Sequence, residues 1–187
     1  MEDSLARVAC RSVLVIGGAR SGKSRYALAL AEVTAPERLY LATAEAGDPE
    51  MAERVARHRR ERGDGWRTRE ESLEIAAALR TEARPGRVVV VDCLTLWLSN
   101  LMLAGRDIEA QISELTDVLS ELGGPTALIA NEVGSGVVPA TPLGRAFRDW
   151  QGRLNQQAAA VCGAVVAVAA GLPTQLKPAP RPDIGLR

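Results

Sequence analysis

Short apolar runs alternate along the chain with segments whose apolar residues recur every three to four positions. SVLVIGG (12–18), RLYLAT (38–43), RVVVVD (87–92), TALIA (126–130) and AVVAVAA (164–170) read as strands. Nearly continuous valine, leucine and isoleucine over so few residues fits a strand buried on both faces. Helical spacing occupies KSRYALALAE (23–32), residues 70–80, LTLWLSNLML (94–103), DIEAQISELTDVLSEL (107–122) and a long stretch within 141–161. A further helix opens at Asp48-Pro49-Glu50, with an Asp cap, proline at the first helical position and acid in the first turn. It carries MAERVARHRRER and stops at Gly63. Residues 1–11 read as a loosely ordered lead-in, and LPTQLKPAPRPDIGLR, with four prolines, is expected to trail over the surface. Strands alternating with helices predict an α/β fold, with a mostly parallel sheet and helices on both faces. No repeat or low-complexity linker divides it, so residues 1–187 are expected to form a single domain.

Composition narrows the function classes. The chain's 187 residues suffice for one sizeable core and are too few for two comfortable ones. Lys+Arg and Asp+Glu balance at 23 each, so no basic field recruits nucleic acid. That counts against a nucleotide-dependent protein working on DNA, which needs an extended basic surface bearing aromatics. Positive charge is instead local, at residues 54–62. Cys10, Cys93 and Cys162 are widely separated and odd in number, which suits a reducing cytoplasm better than a zinc site or disulfide framework. No apolar run is long enough to span a bilayer, and MEDSLARVACR lacks a signal-peptide core. A soluble, cytoplasmic protein is expected.

Chemistry enters at Gly17-Gly18-Ala19-Arg20-Ser21-Gly22-Lys23-Ser24, which matches G-x-x-x-x-G-K-[ST]. Glycines let backbone N–H groups curl around phosphate oxygens, and Lys23 reaches the β- and γ-phosphates. Ser24 offers a hydroxyl to Mg²⁺, and the following helix points its N-terminus at the anion. The motif follows a strand and opens a helix, the context that separates it from a glycine-rich turn with a surface lysine. Asp92, after four valines, is the candidate second acid for the metal; its other reading is a cap for the helix starting near Leu94.

His58, the chain's single histidine, sits among Arg54, Arg57, Arg59, Arg60 and Arg62. On a 3.6-residue repeat Met51, Val55, His58 and Arg62 share one stripe, so the imidazole faces the apolar side. Neighbouring cations favour its neutral form, a competent nucleophile, and the arginines suit phosphate oxygens. A partly buried structural histidine beside a solvated basic face fits the spacing equally well.

Together these segments resemble the bifunctional adenosylcobinamide kinase/adenosylcobinamide-phosphate guanylyltransferases of cobalamin biosynthesis. The resemblance runs from about Val13 to about Lys177, through GGARSGKSRYA, LYLATA, ERVARHRRERGDGWRTREE, VVVVDCLTLWLSNL, NEVGSGVVP and GRAFRDWQGRLNQQAA. It implies a RecA-like P-loop fold, a trimer and one nucleotide site serving two reactions. A kinase step phosphorylates the aminopropanol hydroxyl of adenosylcobinamide, with GTP or ATP as donor. A second step moves GMP from GTP onto that phosphate through a histidine–GMP intermediate, giving adenosylcobinamide-GDP and pyrophosphate. By resemblance His58 is the covalent residue, and Gly17 to Ser24, Ala42, Thr43 and Ala44 contact GTP. So do Arg59, Arg60, Glu61 and Arg62, while Glu70 and Asp92 hold nucleotide or metal; Glu70 also reads as the first-turn acid of a helix. The matching loop of Asn131, Glu132, Gly134 and Gly136 follows a strand and receives no role. A simple P-loop kinase is the competing reading, and it leaves His58 idle.

Overall fold

The computed structural model describes residues 9–44 and 65–178. Among them a seven-stranded sheet forms the middle layer. Its strands are β1 (Ser12–Gly17), β2 (Glu37–Ala42), β3 (Arg67–Glu70), β4 (Arg87–Asp92), β5 (Thr126–Asn131), β6 (Ala164–Ala169) and β7 (Leu172–Lys177). They lie in the order β3-β2-β4-β5-β1-β6-β7. Every neighbouring pair is parallel except β6 and β7, which are antiparallel.

The apolar runs become central strands because both faces of the sheet are covered. Along β4, Val89 and Val91 enter one core and Val88 and Val90 the other. One face packs on α1 (Lys23–Glu32) through Ala27 and Ala31. The opposite face carries α2 (Ile75–Glu82), α3 (Leu94–Leu103), α4 (Ile108–Ser120) and α5 (Pro142–Val161). Trp97 is buried in that larger core, and its indole N–H donates to the Leu73 carbonyl at 2.7 Å. The α/β reading with a mostly parallel sheet therefore holds, with α4 capped by Asp107 and α5 by Thr141 ahead of Pro142.

Two expectations need correction. The helix expected over 70–80 starts only at Ile75, and Glu70 instead ends RTRE, the edge strand β3. Arg67 and Arg69, two residues apart, point the same way and pair with Glu82 of α2 at 3.4 and 3.3 Å. Arg87 of β4 pairs with the same carboxylate. An ion network thus makes a strand from a sequence with little apolar content. The first part of the carboxyl-terminal stretch does not trail over the surface either, because 172–177 closes the sheet as β7, while 179–187 lie outside the described residues. Pro173 is tolerated there because an edge strand leaves one row of N–H groups unpaired. Lys177 fastens the strand by donating to the carbonyls of Ala159 and Ala160, both at 2.9 Å, at the end of α5. The helix expected from Asp48 to Gly63 lies outside the described residues.

Candidate nucleotide site

Parallel strands bring their carboxyl ends to one edge of the sheet, and the crevice outside such an edge is where α/β proteins bind ligands. The strand register lines up the residues at this edge. Gly17 stands beside Asn131, Ala42 beside Asp92, and Ala42 beside Glu70 on its other flank. The structure thus gathers Gly17–Ser24, Ala42–Ala44, Glu70 and Asp92 along one rim. His58, Arg59, Arg60, Glu61 and Arg62 lie outside the described residues.

The phosphate loop is shaped by backbone that few residues accept. Gly22 has φ +96° and is the N-cap of α1, with no side chain capping the helix. The first N–H groups of α1 are therefore left to an anion, with the helix dipole behind them. A Cβ on Gly17 would come within 2.4 Å of the Val168 carbonyl and 2.6 Å of the Ser21 hydroxyl, so the loop accepts only glycine there. Ser21 Oγ is buried inside the loop without a partner. Lys23 is buried, and its ammonium donates back across the loop to the Gly18 carbonyl at 3.0 Å. The loop is also braced from outside. Ala170 and Gly171, both at positive φ in the β6–β7 turn, bring the Gly171 N–H to the Ser21 carbonyl at 2.8 Å.

Asp92 ends β4 on the same sheet face as α1. It does not cap α3: the N-cap is Cys93, with no side-chain bond to the helix. Asp92 Oδ2 instead accepts from the Tyr40 hydroxyl at 2.9 Å. Burial, and then the Asp92 charge, push the neighbouring Cys93 thiol above its ordinary range, while the Lys23 charge pulls it down.

Thr43 is fully buried, and its hydroxyl is wholly occupied. It accepts from the Cys93 N–H at 2.7 Å and donates to the Cys93 carbonyl at 2.8 Å. Asn100 of α3 then ties the Thr43 carbonyl to that of Ser72. Within the Ala42–Ala44 turn Thr43 is thus committed to the scaffold, its N–H donating to the Asp92 carbonyl at 3.1 Å and its side chain locking β2 to β4. Glu70 ends β3 next to Ala42, a placement that removes its reading as a helix acid.

Three supports escaped sequence reasoning. Thr95 Oγ accepts from the Asn131 N–H at 2.7 Å, and Asn155 donates to the Asn131 carbonyl at 3.1 Å. Gln151, fully buried on α5, holds Asn155 in turn at 2.9 Å. A signal existed in the polar i, i+4 pair Gln151/Asn155 on a helix whose neighbours Leu154 and Ala158 are buried. Glu132, just beyond, binds the Gly17 carbonyl through its N–H and accepts from Gly134 through its side chain. The remaining groove of note, about 170 Å³ between α2 and α4, is lined by Leu79, Arg80 and Ala83 at the sheet's opposite edge.

Comparison with known proteins places the chain in a family and its fold among P-loop ATPases. Residues 13–176 match the family model described as cobinamide kinase / cobinamide phosphate guanyltransferase. The chain is 48% identical over 169 residues to the bifunctional adenosylcobalamin biosynthesis protein CobP of Pseudomonas aeruginosa, covering 89% of this chain and 98% of that one. It is 37% identical over 180 residues to CobU of Escherichia coli K12, a protein of the same description, covering 88% and 99%. Among solved structures it resembles the P4 protein of bacteriophage phi6 in complex with ADP (TM-score 0.50, 18% identity, 89% of this chain and 54% of that one). It also resembles the type III secretion ATPase EscN of enteropathogenic E. coli (TM-score 0.53, 11% identity, 86% and 43%). The chain spans about half the length of these two solved chains, and at such identities the likeness speaks for the fold alone.

Proposed function

Because the chain belongs to the cobinamide kinase / cobinamide phosphate guanyltransferase family, we propose that its single nucleotide site runs two successive transfers. In the first, a γ-phosphoryl group passes from a nucleoside triphosphate to the aminopropanol hydroxyl of adenosylcobinamide. In the second, an imidazole nitrogen of His58 attacks the α-phosphorus of GTP, the bond to the β-phosphate oxygen breaks, and pyrophosphate leaves. A phosphate oxygen of adenosylcobinamide phosphate then displaces the histidine, giving adenosylcobinamide-GDP. The observation that carries the reading is the shared rim, along which the parallel strand ends place Asp92 and the phosphate loop with its buried Lys23 and the uncapped start of α1.

In this reading the α1 N-terminus and the loop N–H groups hold the phosphates, and Lys23 leaves the Gly18 carbonyl for the β- and γ-phosphates. Among the described residues no three His, Cys, Asp or Glu side chains cluster as a metal cage. Mg²⁺ takes one or two protein oxygens and completes its shell with phosphates and water. The Ser24 hydroxyl and the Asp92 carboxylate are hard oxygen donors of the right kind. The metal would supply neutralisation of the charge on the phosphates. Arg59, Arg60, Arg62 and Glu61 line the nucleotide beside His58, Glu70 and the Ala42–Ala44 turn contact it from β2 and β3, and the protein works as a trimer in the cytoplasm.

GTP labelled at the α-phosphate tests the proposal. Incubated with Mg²⁺, the protein is expected to retain label with the acid-labile, alkali-stable behaviour of a phosphoramidate. His58→Ala should abolish labelling and guanylyl transfer while keeping kinase activity, and Lys23→Ala should impair both steps. Equal labelling of His58→Ala would remove the nucleophile assignment, and kinase activity without any labelling would leave a simple kinase.

A further inference from the structure

Tyr40 interrupts the aliphatic run of β2 and is only 7% exposed. By strand alternation it shares the α1 face of the sheet with Ala42, and across the register it stands beside Val90 of β4. Asp92 lies two residues further along that strand, at the diagonal distance that long side chains span. The phenol makes that reach, donating to Asp92 Oδ2 at 2.9 Å. It is braced from behind by Trp66, whose ring stands edge-on at 6.5 Å and 85°. The backbone just past the acid is held separately by the two Thr43–Cys93 bonds. A carboxylate at the end of a strand is otherwise free to turn about its terminal torsion, which has broad, weakly separated minima.

We propose that Tyr40 is a positioning residue for Asp92, holding Oδ2 so that metal ligation falls to Oδ1 in one fixed orientation. The inference rests on the reading of Asp92 as the metal acid of the nucleotide site. Fixing the carboxylate beforehand removes the cost of ordering it when the metal–nucleotide complex arrives. Tyr40 is expected to touch neither nucleotide nor metal, so its loss should act on metal affinity and spare nucleotide affinity.

The test measures binding of a fluorescent, non-hydrolysable GTP analogue to the full chain, without Mg²⁺ and across a Mg²⁺ titration. Tyr40→Phe keeps the ring and removes the hydroxyl. It should raise the Mg²⁺ concentration at half-effect roughly tenfold, as lost second-layer partners of metal ligands do. Affinity without Mg²⁺ should stay within about twofold, since one hydrogen bond remote from the phosphates carries no direct contact. Leu41→Val, on the opposite face of the same strand, controls for packing loss and should leave the Mg²⁺ titration unchanged. Asp92→Asn tests the metal role of the carboxylate itself. If Asp92→Asn shifts the titration and Tyr40→Phe does not, the positioning role is overturned while the metal acid stands. If Asp92→Asn leaves the titration unchanged, the metal reading of Asp92 fails and the role of Tyr40 fails with it. Equal weakening with and without Mg²⁺ in Tyr40→Phe overturns the proposal in favour of general support of the fold.

Discussion

Thr43 condenses much of the site into one hydroxyl, which both accepts from and donates to the backbone of Cys93. Its replacement by valine keeps the shape and strands two buried backbone groups without partners. Each such loss costs on the order of 1–3 kcal/mol, so Thr43→Val is expected to lower unfolding free energy by about 2–4 kcal/mol, read from urea denaturation. Nucleotide affinity should fall as well, because the same bonds fix the ends of β2 and β4. Thr43→Ser, which retains the hydroxyl, should recover most of both. At this scale the sequence was most informative where chemistry is local. Gly17 to Ser24 are neighbours in the chain, and their spacing carries the geometry of the phosphate loop. Tyr40 stayed hidden because its bond to Asp92 spans 52 positions and depends on which strands lie side by side.

At the scale of elements, buried apolar runs announced themselves, and edge strands did not. RVVVVD is a strand by composition alone, whereas RTRE becomes one only once Glu82 of α2 collects Arg67 and Arg69. Likewise β7 needs the carbonyls at the end of α5 to receive Lys177. The junction between α5 and β6 holds Cys162, fully buried at the C-cap of the helix. Burial pushes its thiol from an ordinary 9.0 up to about 11, against a smaller opposing hydrogen bond from Ser12. A raised folded-state value means that the unfolded chain gives up this proton first as pH rises. The stabilisation is therefore full below about pH 9 and is lost as pH climbs through about 11. It amounts to something on the order of 3 kcal/mol, at about 1.4 kcal/mol for each unit. Cys162→Ala should be less stable than the parent at pH 8 because of the lost volume, with the gap narrowing between pH 9 and 11 in denaturant titrations. A gap that stays constant would show that the thiol does not ionise on unfolding.

Across the whole molecule, the nucleotide rim is assembled from strands that are distant in sequence, and its floor is the sheet itself. The α/β class was legible because alternation of buried strands and amphipathic helices is a property of the entire chain. Strand order was not, since it depends on which crossovers pack best. That order sets β6 beside β1 and so places the β6–β7 turn under the phosphate loop, where Gly171 bonds Ser21. Gly171 has φ +80°, and a Cβ there would stand 3.0 Å from the Arg25 guanidinium. Gly171→Val is expected to cost about 1–2 kcal/mol in stability for the strained φ. Because the turn braces the loop, the same variant should weaken binding of the fluorescent GTP analogue several-fold, although residue 171 lies far outside the loop motif. Unchanged affinity in a folded Gly171→Val protein would show that the loop holds its shape unaided.

The same contact has a mechanical consequence. β7 is an edge strand joined to the sheet through β6 alone, so a pull on the carboxyl-terminal segment is borne first by the β6–β7 hairpin. The turn of that hairpin grips the Ser21 carbonyl. Tension applied there, by a tether to a surface or by a bulky fused domain, first loads the Lys177 anchor and the Val165–Lys177 end of the ladder, and it reaches the turn only as β7 peels away. The hairpin thus stands as a buffer between a load on β7 and the nucleotide grip, whereas β1 runs straight into Gly17.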